Sequence, residues 1–533
     1  MAQTRTTAPR PPHLTVASLI AGNGAVYARR PAISARGQAP LAWGDLATQV
    51  DMNRSELWRH GVLKGHRVAL SLPDGPVMAV AFLSVASTCA AAPLRQTSNV
   101  EGARRNLNEL KVQHVVVDDE SPDAYAQAAT ELNINVVRLR RDTAGPAGAF
   151  QFIPPTAPSA TLSELPGPDD DALVVMTSGT TGKPKVAPLS NRVLVRCAYA
   201  DYEAIEFTPD DCGLIVMPMH HISALRAELL SYLAAGGSAA WVEYPVTDDA
   251  ITAALRDGNV TTLTASPFYY QAIVEYLTTR GERLEAPALR SFRSSSSGLS
   301  AELHARIEAV TGVPVVEDYG STEAGLVAMN PLPPGIRKAG TVGKPISVEM
   351  RIMSDEWEPL PQGATGEIVV RGETVFAGYD SPADTVSKFR DGWFRMGDVG
   401  FLDADGYLHL VGRVDDMINR GGDKIDPATV EAVLLGCDGV AEAAAFGLSD
   451  SRYGQEVYAA IVVKPGALVT PEELRAAVRR ALRAGAPRRV FIVESLARTS
   501  TGKLRRRAVA EMCTAYVSGG PSASPGGKAP PAP

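Results

Sequence analysis

The 533-residue chain is poor in cysteine and shows no cysteine pattern. Its five cysteines are scattered, odd in number and never spaced as CxxC; they are Cys89, Cys197, Cys212, Cys437 and Cys513. This distribution argues against both a zinc site and a disulfide framework. No Cys–His motif marks a cysteine nucleophile. Scattered, reduced thiols of this kind predict a cytoplasmic protein.

The chain also lacks an apolar run that could cross a membrane. Its most hydrophobic segment, residues 77–93, is short for a span and is interrupted by Ser84, Ser87 and Thr88. We therefore expect a buried helix over 77–92. Residues 1–14 are polar and proline-rich, without the apolar stretch of a secretory signal.

An excess of positive charge is missing as well. The formal net charge is −7, which argues against a nucleic-acid-binding protein that works by bulk electrostatics. Hydrophobic residues make up 45% of the chain and charged residues 21%, as in an ordinary globular protein. The length is too great for one core, so two or more domains are expected.

Strands and helices alternate along the first part of the chain. Residues 68–72, 114–117 and 135–139 are predicted strands, and their alternation with helices indicates an α/β fold with doubly wound, mostly parallel sheets. Farther on, residues 348–353 and 407–411 alternate as in a small antiparallel β-barrel subdomain.

The last part of the chain has a different pattern of predicted helices and strands. From about residue 413 the predicted elements fit a small α+β domain, and the Gly/Pro/Ser-rich end cannot bury enough apolar surface to order itself. We predict a large N-terminal domain over 1–412, a small C-terminal domain over 413–517 and a disordered tail over 518–533.

A nine-residue stretch, Thr177 to Lys185 (TSGTTGKPK), follows an apolar run and has the composition of a phosphate loop. Glycines let the backbone approach an anion, and successive N–H groups form an anion-binding nest. The loop combines glycines with hydroxyl groups and positive charges that suit phosphate oxygens. The residues concerned are Thr177, Ser178, Gly179, Thr180, Thr181, Gly182, Lys183 and Lys185. This is not a Walker loop, since two residues separate the glycines and Pro184 follows the lysine. The alternative is a solvated surface turn.

Two further stretches carry groups suited to phosphate chemistry. In EDYGSTEA (317–324), a carboxylate beside a hydroxyl suits a hydrated magnesium ion; the alternative is a polar helix N-terminus. In RTSTGKL (498–504), Lys503 follows a glycine, although a lone lysine there is usually a solvated surface residue. The adjacent His220 and His221 end another apolar run, and each histidine taken singly is more often structural than catalytic.

In order and spacing, these motifs resemble those of the adenylate-forming (AMP-binding) superfamily, in its acyl-CoA synthetase branch. TSGTTGKPK, YGSTE, GWFRMGD, GRVDDMINRGGDKI and TSTGK match successive family motifs, and the likeness extends from about residue 40 to 510. It implies an ATP-dependent ligase that converts a carboxylic acid to an acyl-AMP with release of pyrophosphate. The acyl group then passes to the thiol of coenzyme A, and Mg²⁺ is a cofactor.

The resemblance also implies a role for each matched residue in ATP binding. The loop from Thr177 to Lys185 would hold the β- and γ-phosphates. Thr322 would contact the α-phosphate, Glu323 would bind the magnesium ion, and Lys503 would bridge the acid and the α-phosphate. The adenosine would contact Ser297, Gly298, Leu299, Asp318, Tyr319, Gly320, Asp398 and Arg413.

The family positions for the other substrates are matched as well. The acyl pocket would be bordered by His220, by His221 in the gating position, and by Ser294, Gly320, Ala324 and Gly325. Gly421 and Gly422 would border the pantetheine tunnel. Asp415 matches the hinge about which the family's small, mobile domain rotates between the two half-reactions, exchanging the groups at one centre.

Two alternatives to an acyl-CoA ligase remain at this point. One is a stand-alone adenylating enzyme that loads a carrier protein, and the other is a non-catalytic nucleotide-binding homologue. The presence of Lys503, Glu323 and Thr322 argues against the second. Relatives that activate amino acids have an aspartate within the segment matching 217–222, and none is present here. Residues 331–345 also resemble, more weakly, the oxalate–CoA ligase branch, and this likeness alone does not name the acid.

Overall fold

The computed structural model describes residues 13–120, 123–159, 161–177, 184–242, 246–421, 423–482, 485–499 and 504–518. Most of the predicted phosphate loop (178–183), Gly422 and Lys503 lie outside the described residues. The chain divides into two units, residues 1–350 with 370–394, and residues 351–369 with 395–533. The predicted domain boundary at 412/413 stays a prediction. Within the described ranges, the structure contains no helix with the length and apolar character of a membrane span.

The helices of the described chain are α1 (Val16–Val26), α2 (Trp43–Arg59), α3 (Pro76–Ala86), α4 (Val100–Leu110), α5 (Ala124–Glu131), α6 (Asn191–Ala204), a π-helix (Ser223–Leu230), α7 (Ser231–Ala234), α8 (Asp248–Arg256), α9 (Pro267–Arg280), α10 (Ala301–Thr311), α11 (Pro382–Lys388), α12 (Pro427–Leu435), α13 (Pro471–Leu482) and α14 (Arg506–Ser518). The strands are β1 (Pro31–Ala35), β2 (Leu41–Ala42), β3 (Arg67–Ser71), β4 (Ala90–Pro93), β5 (His114–Asp118), β6 (Asn135–Arg141), β7 (Phe150–Phe152), β8 (Asp171–Thr177), β9 (Lys185–Ser190), β10 (Cys212–Ile215), β11 (Ser238–Trp241), β12 (Thr262–Ala265), β13 (Ser291–Ser294), β14 (Val315–Ser321), β15 (Gly325–Met329), β16 (Lys344–Pro345), β17 (Glu349–Met353), β18 (Gly366–Arg371), β19 (Phe389–Arg390), β20 (Trp393–Leu402), β21 (Leu408–Arg413), β22 (Ile418–Arg420), β23 (Asp423–Ile425), β24 (Val440–Asp450), β25 (Gly454–Val463) and β26 (Arg489–Ile492).

Two large sheets confirm the predicted α/β fold. A seven-stranded sheet has the order β7-β6-β5-β3-β4-β8-β9, and a nine-stranded sheet has the order β16-β15-β14-β13-β12-β10-β11-β1-β2. Their central pairs are parallel, whereas β6–β7, β8–β9 and β14–β15 are antiparallel. Strands such as β5 (HVVVD) are buried along their whole length, as expected for parallel strands with both faces covered.

The helix predicted over residues 77–92 is wrong in its second half. Helix α3 ends at Ala86, and Ala90–Pro93 form β4 between β3 and β8. The Ala90 N–H donates to the His66 carbonyl, and the strand then runs parallel to β3. Alanine has little intrinsic preference for strands, so the strand owes its conformation to its neighbours in the sheet.

The second unit contains a smaller sheet with its own core. Its order is β23-β22-β25-β24, with β26 parallel to β25, and residues of α12 and α13 pack on the same core cluster as β24 and β25. A capping box precedes α13, because Thr470 and Glu473 exchange side-chain-to-backbone hydrogen bonds. In the sheet of order β17-β18-β20-β19, strand β20 pairs antiparallel with both β19 and β21.

Candidate active site

The predicted phosphate loop connects two antiparallel strands. Thr177 ends β8 and is paired with Lys185, the first residue of β9. The Thr177 hydroxyl donates to the Lys185 carbonyl at 3.4 Å. The two residues that bracket the loop are therefore held side by side, although residues 178–183 themselves lie outside the described ranges.

Lys185 is fixed by residues far along the sequence. Its Nζ lies 2.9 Å from Asp384 Oδ1 and 5.0 Å from the centre of the Tyr379 ring, and its side chain is only 10% exposed. The hydrogen bond from Lys185 lowers the pKa of Asp384. A lysine whose ammonium group is positioned in this way is suited to meet a phosphate oxygen.

Glu323 lies in the turn between β14 and β15, not at a helix N-terminus. These strands are antiparallel, and the Ser321 hydroxyl accepts hydrogen bonds from the N–H groups of Glu323 and Ala324. The Tyr379 hydroxyl donates to Glu323 Oε1 at 2.7 Å. The alternative of a polar helix start is therefore wrong.

The surroundings of Glu323 fit a metal ion shared with a phosphate ligand. Within the described ranges there is no group of three or more His, Cys, Asp or Glu residues that could cage an ion. Magnesium usually binds one or two carboxylates and completes its shell with water and phosphate oxygens. A single oriented carboxylate near Lys185 matches that donor set.

Tyr379 and Asp384 belong to a segment that sequence reasoning missed. The Phe376 N–H donates to the Glu323 carbonyl at 2.8 Å, so this segment holds both the backbone and the side chain of Glu323. Ser381 caps α11 and Pro382 is its first residue. These local signals identify the helix, but they do not reveal what Tyr379 contacts.

The strand ends beside this turn carry the other predicted residues of the first unit. Ser294 ends β13, is 2% exposed and is in register with Glu317 on β14. In the loop that follows, Ser297 and Gly298 are exposed and Leu299 is buried. Parallel sheets bind ligands at this edge. Gly320 pairs with Leu326 across the hairpin, which places it beside Ala324 and Gly325.

Asp318 and the buried Tyr319 lie on β14, and Asp318 takes part in an internal ion pair. Arg293 is 1% exposed and contacts the carboxylates of Asp318 and Asp201. Burial alone would lower the pKa of Arg293, but the two carboxylates raise it above its usual range. The Asp318 carboxylate is thus held by β13, and its predicted place beside the adenine stays a prediction.

His220 and His221 lie in a turn before the π-helix. The Met219 N–H donates to Asp74 Oδ1 at 2.6 Å, and the two imidazole rings are 4.4 Å apart. Burial lowers the pKa of His220 to about 3 and also lowers the pKa of His221, with a further contribution from the charge of Arg95. Both rings are therefore uncharged at neutral pH. Sequence reasoning missed Asp74 and Arg95.

In the second unit the structure brings Asp398 and Arg413 together. They are opposite each other on β20 and β21, with Arg413 Nη1 3.5 Å from Asp398 Oδ1. Asp415 is exposed in the turn between β21 and β22. Gly421 has a φ of 59°, and its N–H donates to the Tyr453 carbonyl. Lys503 lies outside the described residues, and Arg498 and Leu504 on either side of it form a β-bridge.

Comparison with known protein families identifies the family to which the chain belongs. The family described as AMP-binding enzyme matches residues 21–380, and the AMP-binding enzyme C-terminal domain matches residues 429–503. The chain belongs to the AMP-binding enzyme family. It therefore belongs to the group of adenylate-forming proteins that the five motifs resemble.

Similar proteins cover nearly the whole chain. An oxalate–CoA ligase of Arabidopsis thaliana is 35% identical over 93% of this chain and 98% of its own length. A sulfoacetate–CoA ligase of Cupriavidus necator is 33% identical over 92% and 96%, respectively. The crystal structure of ATP-bound MatB from Rhodopseudomonas palustris superposes with a TM-score of 0.82 at 28% identity, covering 93% of this chain and 99% of that one. The chain is an ATP-dependent acid–thiol ligase that uses ATP, Mg²⁺ and coenzyme A.

Proposed function

We propose that the residues assembled above carry out two half-reactions on a carboxylic acid. In the first, a carboxylate oxygen of the acid attacks the α-phosphorus of ATP, the bond from that phosphorus to the bridging oxygen breaks, and pyrophosphate leaves. In the second, the thiolate of coenzyme A attacks the acyl carbon and AMP leaves. Catalysis rests on positioning and on stabilising charge.

The single observation that carries this proposal is the contact of Tyr379 with both Glu323 and Lys185. One aromatic residue thereby orients a carboxylate suited to magnesium and a lysine suited to a phosphate. We assign Thr177–Lys185 to the β- and γ-phosphates, Thr322 to the α-phosphate and Glu323 to the metal. Bound Mg²⁺ would neutralise charge on the phosphates.

The acid is assigned to the hairpin and the histidine turn. His220, His221, Ser294, Gly320, Ala324 and Gly325 would border it. Since burial lowers the pKa values of both histidines, His221 would act as an uncharged hydrogen-bonding group near the reacting carboxylate. Ser297, Gly298, Leu299, Asp318, Tyr319 and Gly320 would surround the adenine.

The second unit is assigned the ribose, the bridging lysine and the thiol tunnel. The carboxylate of Asp398, oriented by Arg413, is suited to accept hydrogen bonds from ribose hydroxyls. Lys503 would bridge the acid and the α-phosphate, and Gly421 with Gly422 would border the pantetheine arm of coenzyme A. We also propose the domain division at 412/413, with Asp415 as the hinge, and a cytoplasmic location.

Separate assays of the two half-reactions test these roles. We expect Lys503→Ala to lose pyrophosphate release from acid and ATP, yet still to convert a supplied acyl-AMP to the thioester. Lys464→Ala, at an exposed lysine of the same unit, is the matched control and should keep both rates. Equal loss of both steps in Lys503→Ala contradicts the assigned role. Release of AMP that requires a carrier protein in place of coenzyme A would identify the alternative acceptor.

A further inference from the structure

Arg67 joins the seven-stranded sheet to the segment that carries Tyr379. It is the first residue of β3, and its side chain is 16% exposed. Its Nη1 and Nη2 atoms donate to the two carboxylate oxygens of Asp380 at 2.5 and 2.7 Å. A paired contact of this kind between a guanidinium and a carboxylate is strong, and it fixes the relative orientation of the two groups. The two residues are 313 positions apart in the chain, so the tertiary fold makes this contact.

Other elements of the sheet layer hold the Arg67 side chain in place. Nη1 also donates to the Leu110 carbonyl at 3.2 Å, at the end of α4, and the Arg67 N–H donates to the Gln113 side chain at 2.8 Å. Nη2 lies 3.9 Å from a carboxylate oxygen of Asp171, the first residue of β8. The position of the guanidinium group is therefore set by β3, α4 and β8.

Arg67 keeps Asp380 in its charged form. The hydrogen bond and the charge of Arg67 lower the pKa of Asp380, although burial raises it, and the Lys111 ammonium group, 3.8 Å away, lowers it further. The Asp380 side chain is 17% exposed. Without Arg67 this half-buried carboxylate would lose its paired donors, and a move toward water would then be favoured. Loss of Arg67 should therefore displace Asp380.

The segment around Asp380 is tied to its surroundings by backbone hydrogen bonds. The Asp380 N–H donates to the Val186 carbonyl at 3.0 Å. The Tyr379 N–H donates to the Thr385 hydroxyl at 2.9 Å, which holds the segment against α11. A displacement of Asp380 would therefore be passed to its neighbours in the chain.

Those neighbours contact the groups assigned to the metal and the phosphates. The Tyr379 hydroxyl donates to Glu323, and Asp384 Oδ1 lies 2.9 Å from Lys185 Nζ. Asp380 lies between Tyr379 and Asp384 in the sequence. The ion pair of Arg67 thus anchors the short segment from which both contacts are made.

We propose that Arg67 is a positioning residue for acyl-AMP formation. By holding Asp380, it sets the position of Tyr379 and, through Tyr379, that of Glu323. This inference rests on the proposed function, in which Glu323 binds the metal and Lys185 meets a phosphate oxygen. These groups act on the triphosphate, and pyrophosphate has left before the thioester forms. Arg67 therefore affects the first half-reaction and not the second.

Separate assays of the two half-reactions test this role. We expect Arg67→Met to lower the rate of pyrophosphate release by roughly 10-fold, because Glu323 is misplaced, and to raise the Mg²⁺ concentration that gives half the maximal rate. Formation of the thioester from a supplied acyl-AMP should stay within about twofold of the wild type. Arg67→Lys keeps the charge and should restore part of the first rate. Equal loss of both half-reactions, or an unchanged Mg²⁺ dependence, would make Arg67 merely structural and overturn the inference.

A double-mutant cycle shows whether Arg67 acts through Asp380. Asp380→Ala should reproduce the effects of Arg67→Met, and the double variant should be no slower than either single variant, because one contact is removed in all three. Losses that multiply in the double variant would overturn the inference. The matched control is Arg104→Met, an arginine of α4 paired with Glu101 and Glu131, which should keep both rates.

Hydrogen exchange measures the position of the segment without any turnover. The N–H groups of Phe376 and Asp380 donate to the carbonyls of Glu323 and Val186, so their exchange reports whether the segment stays in place. Arg67→Met, or Asp380→Ala if the first variant does not fold, should speed exchange over residues 376–385 by roughly 10-fold and leave β5 unchanged. If no acid releases pyrophosphate, the proposed function fails, and this measurement still decides whether Arg67 holds the segment. Unchanged exchange there, or faster exchange throughout the first unit, would overturn the inference.

Discussion

Tyr379 uses its two ends for different contacts. The hydroxyl donates a hydrogen bond to Glu323, and the face of the ring lies under the Lys185 ammonium group. Cation–π attraction depends on the ring alone, whereas the orientation of Glu323 depends on the hydroxyl. Substitutions can therefore separate the effect of the hydroxyl on Glu323 from the effect of the ring on Lys185.

We expect Tyr379→Phe to lower the rate of acyl-AMP formation by roughly 3- to 10-fold, because one hydrogen bond to Glu323 is lost. The Mg²⁺ concentration that gives half the maximal rate should rise. Tyr379→Ala should lose more, since the ring under Lys185 is removed too. Pyrophosphate release measured against Mg²⁺ concentration checks both. Tyr276→Phe, at a half-buried tyrosine whose hydroxyl donates to Asp249, is the control. An unchanged Mg²⁺ dependence in Tyr379→Phe would contradict the assignment.

At this scale the sequence predicted the residues of continuous motifs and missed their partners. Lys185, Thr322 and Glu323 are found because their neighbours in the chain form a pattern. Tyr379 is 56 residues from Glu323, and only the packing of the segment against the hairpin brings them into contact.

At the scale of elements, Arg293 joins β13 to β14 and α6. It contacts Asp318 on β14 and Asp201 on α6, and all three side chains are buried. Removing one partner of such a network leaves uncompensated charges in the interior. The free energy of unfolding should therefore depend on Arg293 much more than on a surface arginine.

We expect Arg293→Met to lower the free energy of unfolding by about 3–5 kcal/mol. The matched control, Arg192→Met, removes an arginine of α6 whose ion pair with Asp169 is on the surface, with the two side chains 41% and 81% exposed. It should have a much smaller effect, as is usual for an exposed ion pair. Urea denaturation followed by circular dichroism measures both variants. Similar losses in the two would show that the buried network contributes no special stability.

Histidines cluster where β3 and β5 begin. His66 Nδ1 lies 3.0 Å from His114 Nε2, with the rings stacked 5.1 Å apart. Burial, with smaller contributions from the neighbouring His66 and His60, lowers the pKa of His114 to about 4. The pKa values of His66 and His60 are also lowered by burial. In the unfolded chain histidine titrates near 6.5, so the unfolded state binds more protons below that pH.

We therefore expect the free energy of unfolding to fall as the pH decreases from about 6.5 to about 4. For His114 alone, the lowering from 6.5 to about 4 corresponds to about 3 kcal/mol. His114→Gln should flatten this dependence whatever its effect at neutral pH. Urea titrations at several pH values measure the slope, with His13→Gln as the control. A slope in His114→Gln as steep as in the wild type would contradict the prediction.

Local signals explain which elements the sequence predicted. Ser300 accepts a hydrogen bond from the Leu303 N–H at the start of α10, and the left-handed Gly312 follows its end. Such caps depend on a few adjacent residues, so the sequence carries their signal. The antiparallel return of β9 onto β8 was not readable. Strand pairing depends on residues that are distant in the sequence. A strand such as β4, which is mostly alanine, carries no local signal of its partners.

At the scale of the whole molecule, the predicted site residues fall in both units. The phosphate loop, the hairpin and the histidine turn belong to the first unit, and Asp398, Arg413 and Lys503 belong to the second. Two half-reactions at one centre need different groups at different times. A mobile second domain would supply them in turn.

Asp415→Pro tests this mobility. It lies in the exposed turn between β21 and β22, and proline fixes φ near −65°, so rotation about this residue should be hindered. We expect thioester formation from a supplied acyl-AMP to fall by roughly 10-fold or more, with adenylation much less affected. Asp415→Ala removes the carboxylate and keeps the backbone free, so it should have the smaller effect. Parallel losses of both half-reactions in Asp415→Pro would count against a hinge here, because they would reflect a general loss of structure.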